Sequence, residues 1–241
     1  MEISQGQILI LHGWGSSGKS WNKVKESLNS LGYSVIIPDL PGFGQEPEPP
    51  KPWSVDDYVS WVEQFCIKNN LNNFLLLGHS FGGRVAIKFT AKYQERIKKL
   101  ILFSAAGVTP RPKNKLSLLK ILAKVINSVF SLPVLNLFEN ISRKVFYKIL
   151  GNRDYYFLSS QIMRETFKKV IEEDLSSYLN KINTSTLIVW GEKDLMTPVS
   201  DAQKIHQEIP NSVLKIVPNE NHYFYAKNPE KLVEAIKEFI V

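Results

Sequence analysis

Short apolar runs alternate along the chain with stretches in which apolar residues recur every three or four positions. Residues 7–11, 33–37, 74–77, 100–103, 186–190 and 213–217 are runs of strand length rich in Leu, Ile and Val. Runs of this kind predict strands buried on both faces. Between them, Val24, Leu28 and Leu31 keep helical spacing up to Gly32, and Val55, Tyr58, Val59, Val62, Phe65 and Cys66 fall on one side of a second helix. Ser54, with Asp57 three residues on, predicts a capping box at the start of that second helix. Helical spacing returns over 85–93, 199–209 and 229–239. Strands alternating with helices predict an α/β fold, a mostly parallel doubly wound sheet covered on both faces.

The rhythm breaks between 108 and 182. No strand pattern is evident there; Leu118, Leu122, Val125 and Val129 recur at helical spacing, Pro133 interrupts, and further helical stretches are predicted over 141–150 and 161–179. The expected organisation is one α/β core formed by 1–107 and 183–241, with 108–182 inserted as an α-helical lid. Open α/β sheets bind ligands at the carboxyl ends of their strands, so the lid is expected over that edge.

Charge sharpens this division. The net charge is +7, and between Arg111 and Lys181 thirteen Lys or Arg stand against six Asp or Glu, whereas the rest of the chain holds seventeen of each. The whole surplus therefore lies in the insertion. A solvated basic face is the simplest account; a weak contact with an acidic carrier protein or an anionic membrane surface is the alternative. No recognition motif accompanies the charge, so nucleic acid is not an expected partner. Nothing in the pattern fixes an oligomeric state.

At 241 residues, 44% hydrophobic and 22% charged, the chain has the composition of a globular domain able to bury a full core. A single cysteine, Cys66, excludes an internal disulfide framework and reads as a small core residue. With no basic segment ahead of the first strand and no apolar run of membrane-spanning length, a cytoplasmic location is expected. Four histidines without Cys/His clustering give no metal site, and no cofactor is expected.

The chemistry gathers at strand ends. The run 74–77 meets Gly78-His79-Ser80-Phe81-Gly82 and then a helix, the strand–turn–helix context of a G-x-S-x-G nucleophile elbow. Such a turn holds the serine on strained backbone so that its hydroxyl stands clear of the sheet. A serine hydroxyl needs a base, and the base an orienting acid. Asp194 follows the strand 186–190 and His222 follows 213–217, in the chain order Ser, Asp, His. The backbone N–H of Phe81, at the helix start, and that of Trp14, in the loop after the first strand, are the predicted oxyanion donors. His12 is expected to tie its loop, His79 to pack beneath the serine, Asp39 to stabilise its own loop, and His206 to lie on a helix surface. Glu192, the alternative acid, follows Gly191 too closely to reach as naturally as Asp194.

A competing motif lies in the first loop. Gly13 to Ser20 matches G-x-x-x-x-G-K-S between a strand and a helix, the context of a phosphate-binding loop, with Lys19 and Ser20 as phosphate and magnesium contacts. Trp14 is bulky where the backbone must approach phosphate, and Pro38 disrupts the strand end that would present Asp39 as a metal ligand. A nucleotide site would also leave Ser80, Asp194 and His222 unexplained.

The pieces HGWG at His12, PDLPGFG at Pro38, GHSFGG at Gly78, GEKDLMTP at Gly191 and NHYFYAKNPEKL at Asn221 span almost the whole chain. With them the sequence resembles α/β-hydrolase-fold serine hydrolases with a helical lid: carboxylesterases, meta-cleavage-product C–C hydrolases and pimeloyl methyl ester esterases. The chain begins directly on the strand before HGWG, so the antiparallel strands that precede it in larger members are expected to be reduced or absent. The resemblance implies Ser80 as nucleophile, His222 as general base and acid, Asp194 as its partner, and the Trp14 and Phe81 amides as oxyanion hole. It implies hydrolysis of a small carboxylic ester of short to medium acyl chain, with residues 116–138 of the lid as candidate pocket lining. A C–C bond hydrolase or lyase would use the same three residues.

Overall fold

The computed structural model describes residues 5–108 and 160–240. Six strands form one sheet: β1 Gly6–Leu11, β2 Tyr33–Ile36, β3 Phe74–His79, β4 Ile97–Phe103, β5 Thr186–Gly191 and β6 Ser212–Val217. Every pairing between neighbours is parallel, and the order is β2-β1-β3-β4-β5-β6. The chain steps outward from β1 to β2 and then crosses back to β3, so the winding reverses between β1 and β3. That reversal opens a crevice at the carboxyl ends of those two strands, where the sheet is suited to hold a site.

Alternate residues of the strands feed two separate cores. Leu9, Leu76, Leu102 and Ile188 pack with helices α2 (Val55–Lys68) and α3 (Phe81–Tyr93) on one face. Ile8, Leu77, Ile101 and Val189 pack on the other with α1 (Asn22–Ser30) and the closing helix at Pro229–Ile240. The strands read as continuous apolar runs because both faces are covered. The capping box at α2 is present in full: Ser54 Oγ accepts from Asp57 N–H, and Asp57 Oδ2 accepts from Ser54 N–H at 2.7 Å. Gly32 ends α1 at φ +86°, a conformation that a side chain would resist. Phe65, placed by its spacing on the buried side of α2, is only half-buried and stacks on Trp61.

Of the segment predicted as an insertion, α4 (Gln161–Glu172) and α5 (Ser176–Leu179) are described; the helical stretches predicted over 118–150 lie outside the described residues. Met163, Phe167, Val170, Leu175 and Leu179 join the core on the α2–α3 face. The stretch predicted as one helix over 161–179 is broken at 173–175. Glu173 turns out of the helix toward Lys88, and the Asp174 carboxylate accepts the Ser176 N–H at 2.9 Å, which starts α5 afresh. The remaining helices are α6 (Val199–Glu208), α7 (Phe224–Lys227) and α8 (Pro229–Ile240). Among the described residues no helix is long and apolar enough to cross a membrane.

Candidate active site

Ser80 stands between β3 and α3 at φ +52°, ψ −111°. A side-chain-bearing residue held there stores on the order of 1–3 kcal/mol of backbone strain, and the surroundings must enforce it. They do so with hydrogen bonds. Ser80 N–H donates to the Phe103 carbonyl at 3.2 Å, and the Ser80 carbonyl accepts from Ala106 N–H at 3.0 Å. The turn also demands close approach: a Cβ on Gly82 would stand 2.1 Å from the Leu11 carbonyl oxygen, backbone that cannot give way. Ser80 itself is half-buried, while His79 beside it is buried.

The loop after β1 faces this turn. A Cβ on Gly13 would lie 3.4 Å from Ser80 Cβ, and the ring of Trp14 meets that of Phe81 edge-on at 5.1 Å. As first residue of α3, Phe81 has an N–H with no intrahelical acceptor. His12 fixes the loop in one tautomer: Nδ1–H donates to the Gly13 carbonyl at 2.8 Å, and Nε2 accepts from Leu40 N–H at 3.0 Å. Burial holds its pKa below the ordinary histidine value, despite the Gly13 carbonyl and nearby Asp39. Asp39 ties two loops, accepting from Gly18 N–H at 2.7 Å and from Gln45 N–H at 2.9 Å. A carboxylate thus sits on a backbone amide that a phosphate-binding loop would offer to its ligand, and Lys19 and Ser20 are exposed.

Asp194 and His222 meet directly, Asp194 Oδ2 accepting from His222 Nδ1 at 2.8 Å. Both are buried. Asp194 Oδ1 also accepts from the N–H groups of Met196 and Thr197, each at 2.9 Å. Burial alone would raise the Asp194 pKa; the bond and charge of His222 and the Thr197 amide outweigh it and hold the carboxyl below the usual range. The link from this pair to Ser80 runs through His79, whose ring lies 4.8 Å from that of His222 and whose Nε2–H donates to the His222 carbonyl at 3.1 Å. Among the described residues the Ser80 hydroxyl forms no hydrogen bond to the imidazole.

The other sequence candidates fall elsewhere. Glu192 is exposed and accepts from Asn219 N–H at 2.9 Å. His206 lies exposed on α6 against Ser212, and Cys66 is a buried thiol that burial pushes up to about 11. Thr197 was missed by sequence reasoning, although a hydroxyl three positions after a loop aspartate, in an Asp-x-x-Thr turn, is a readable signal. Its Oγ1 donates to Asp194 Oδ2 at 2.9 Å. Among the described residues no cluster of three or more His, Cys, Asp or Glu is arranged to hold a metal ion.

A parallel doubly wound sheet with a strained serine at the β3–α3 turn and an Asp–His pair at the ends of two later strands defines a hydrolase-type scaffold. The model of the alpha/beta hydrolase fold family matches residues 7–229, and the chain belongs to that family. It is 25% identical over 250 residues to a 2-hydroxy-6-oxononadienedioate/2-hydroxy-6-oxononatrienedioate hydrolase of Pseudomonas putida, covering 97% of this chain and 87% of that one. It is 28% identical over 252 residues to a human monoacylglycerol lipase, covering 97% and 74%. In fold it is similar to an esterase of Exiguobacterium antarcticum, with a TM-score of 0.77, 23% identity and coverage of 98% and 92%.

Proposed function

We propose that this chain is a serine carboxylesterase acting on esters of short to medium acyl chain, with Ser80 as nucleophile, His222 as general base and acid, and Asp194 as its orienting partner. The observation that carries the reading is the buried Asp194–His222 bond of 2.8 Å, together with a serine on strained backbone at a strand end. Ser80 Oγ attacks the ester carbonyl as its proton passes to His222 Nε2. The tetrahedral oxyanion rests on the Trp14 and Phe81 amides. The imidazolium then protonates the leaving alcohol, and water attacks the acyl-enzyme by the same route in reverse. Asp194 stays ionised and keeps the Nδ1–H tautomer, leaving Nε2 free for the proton.

Turnover of p-nitrophenyl esters of graded chain length, with a fluorophosphonate labelling Ser80, tests the reading. Ser80→Ala should lose labelling and lower turnover by on the order of 10⁶ while folding normally. A variant that keeps near-full activity overturns the assignment. A C–C bond hydrolase is the second reading, favoured by the name of the Pseudomonas putida relative. Labelling of Ser80 without ester turnover would select it. A basic lid meeting an acidic carrier protein or membrane surface remains a proposal from charge alone; binding that does not weaken with added salt would remove it.

A further inference from the structure

The Thr197 hydroxyl lies within reach of both Asp194 and His222. Its Oγ1 lies 2.9 Å from Asp194 Oδ2, 3.3 Å from His222 Nδ1 and 3.3 Å from the Ser104 carbonyl oxygen. A hydroxyl has one proton to give, and the shortest contact assigns it to Asp194. The hydroxyl lone pairs then face the Nδ1–H that points mainly at the same carboxylate oxygen. Thr197 is buried, and its backbone is fixed without the hydroxyl: its carbonyl accepts from Trp190 Nε1 at 2.8 Å and its N–H donates to Asp194 Oδ1.

We propose that Thr197 is a positioning residue that sets the basicity of His222, an inference that rests on the proposed catalytic roles of Ser80, Asp194 and His222. Asp194 Oδ2 carries two donors, the imidazole and the Thr197 hydroxyl. By sharing that oxygen the hydroxyl draws off part of the charge that would otherwise stabilise the imidazolium. It also pins the carboxylate so that the imidazole keeps its Nδ1–H tautomer and presents Nε2 toward Ser80. Among the described residues the titratable groups facing His222 are Asp194 after β5, His79 at the end of β3 and the neighbouring Tyr223, whose ring lies 4.9 Å away. Of these, only Asp194 bonds to the Thr197 hydroxyl, at 2.9 Å.

The test is the pH profile of kcat/KM for ester hydrolysis in Thr197→Val and Thr197→Ser. Valine keeps the shape and removes the shared donor. Its acidic limb, where His222 must lose its proton to act as base, should move up by about half a unit to one unit, with kcat down about tenfold and KM within about twofold, because loss of a donor to a charged group is of that size. Serine should restore the wild-type profile. A Thr197→Val profile that stays in place or moves down, or a serine variant that behaves like valine, overturns the inference. Thermal unfolding of the valine variant separates an effect on the base from lost stability. Ser80→Ala controls the underlying reading: if it retains turnover, the catalytic assignment fails. If it is inactive while Thr197→Val leaves the profile unmoved, only the role of Thr197 fails.

Discussion

The Nε2–H of His79 donates to the backbone carbonyl of His222 across 3.1 Å, joining the residue before the candidate nucleophile to the candidate base 143 positions away. The bond requires a proton on Nε2, and burial of the ring disfavours a second proton on Nδ1. Burial is the largest cause holding its pKa well below the ordinary value of 6.5, with the neighbouring His222 acting in the same direction; the His222 carbonyl and Asp194 oppose them. His12 is lowered by burial as well.

These two histidines fix the sign of an acid sensitivity. Near pH 6.5 the unfolded chain takes up two protons that the folded chain refuses, so stability is complete above that pH and falls as pH drops below it. The slope approaches about 1.4 kcal/mol per pH unit for each histidine. The melting temperature should be flat above about pH 7 and decline from pH 6.5 to 5, before carboxylates such as Asp194 begin to titrate. His79→Phe, whose ring can pack against Trp21 and Phe103 as the imidazole does, should flatten the decline by about half. Calorimetry showing equal slopes in both proteins would refute the assignment.

The first loop predicts no nucleotide affinity. Asp39 already occupies the Gly18 amide at 2.7 Å, and a phosphate there would meet a carboxylate. Millimolar MgATP or MgGTP should leave the melting temperature unchanged, and Lys19→Ala should retain ester turnover. Asp39→Ala removes an acceptor shared by two loops and should destabilise by about 1–3 kcal/mol, measured by urea unfolding. A nucleotide-dependent rise in melting temperature that Lys19→Ala abolishes would reinstate the phosphate-binding reading.

The strands of the sheet were legible from sequence, and parts of the site were not. Strand runs such as 74–77 and 186–190 are apolar throughout because both their faces are buried, a signal that local composition carries. The turn at Ser80 was legible because Gly82 must lie against the Leu11 carbonyl, and only glycine permits it. Asp194 and His222 were reachable by chain order. The Thr197 contact was not, since it depends on how the turn after β5 brings a hydroxyl back onto a carboxylate. The break at 173–175 was hidden for a similar reason. The periodicity of 161–179 is that of a continuous helix, whereas at the break Glu173 takes extended backbone and its carboxylate pairs with Lys88, distant in sequence. Phe65 has the spacing of a core residue, yet it lies at the margin of α2, where Trp61 covers one side of its ring.

Lys88 gives the last prediction. Its ammonium, on a side chain only 6% exposed, pairs with Asp56 Oδ2 at 2.6 Å and with Glu173, and it lies 5.1 Å from the centre of the Tyr178 ring. Burial would lower its pKa, but the bonds to Asp56 and Glu173 outweigh that and raise it. The two partners differ: the Asp56 side chain is 70% exposed and that of Glu173 25%. Water screens the first pair, so Asp56→Asn should cost less than about 1 kcal/mol. Glu173→Gln weakens the more buried pair and should cost more, about 2 kcal/mol, and Lys88→Met a similar amount. The double variant Lys88→Met with Glu173→Gln should recover part of the loss, because neither charge is then left without the other. Urea midpoints give all four values. Equal effects of the Asp56 and Glu173 variants, or strict additivity in the double variant, would show that Lys88 does not fasten the end of α4 to the helix that Ser80 opens.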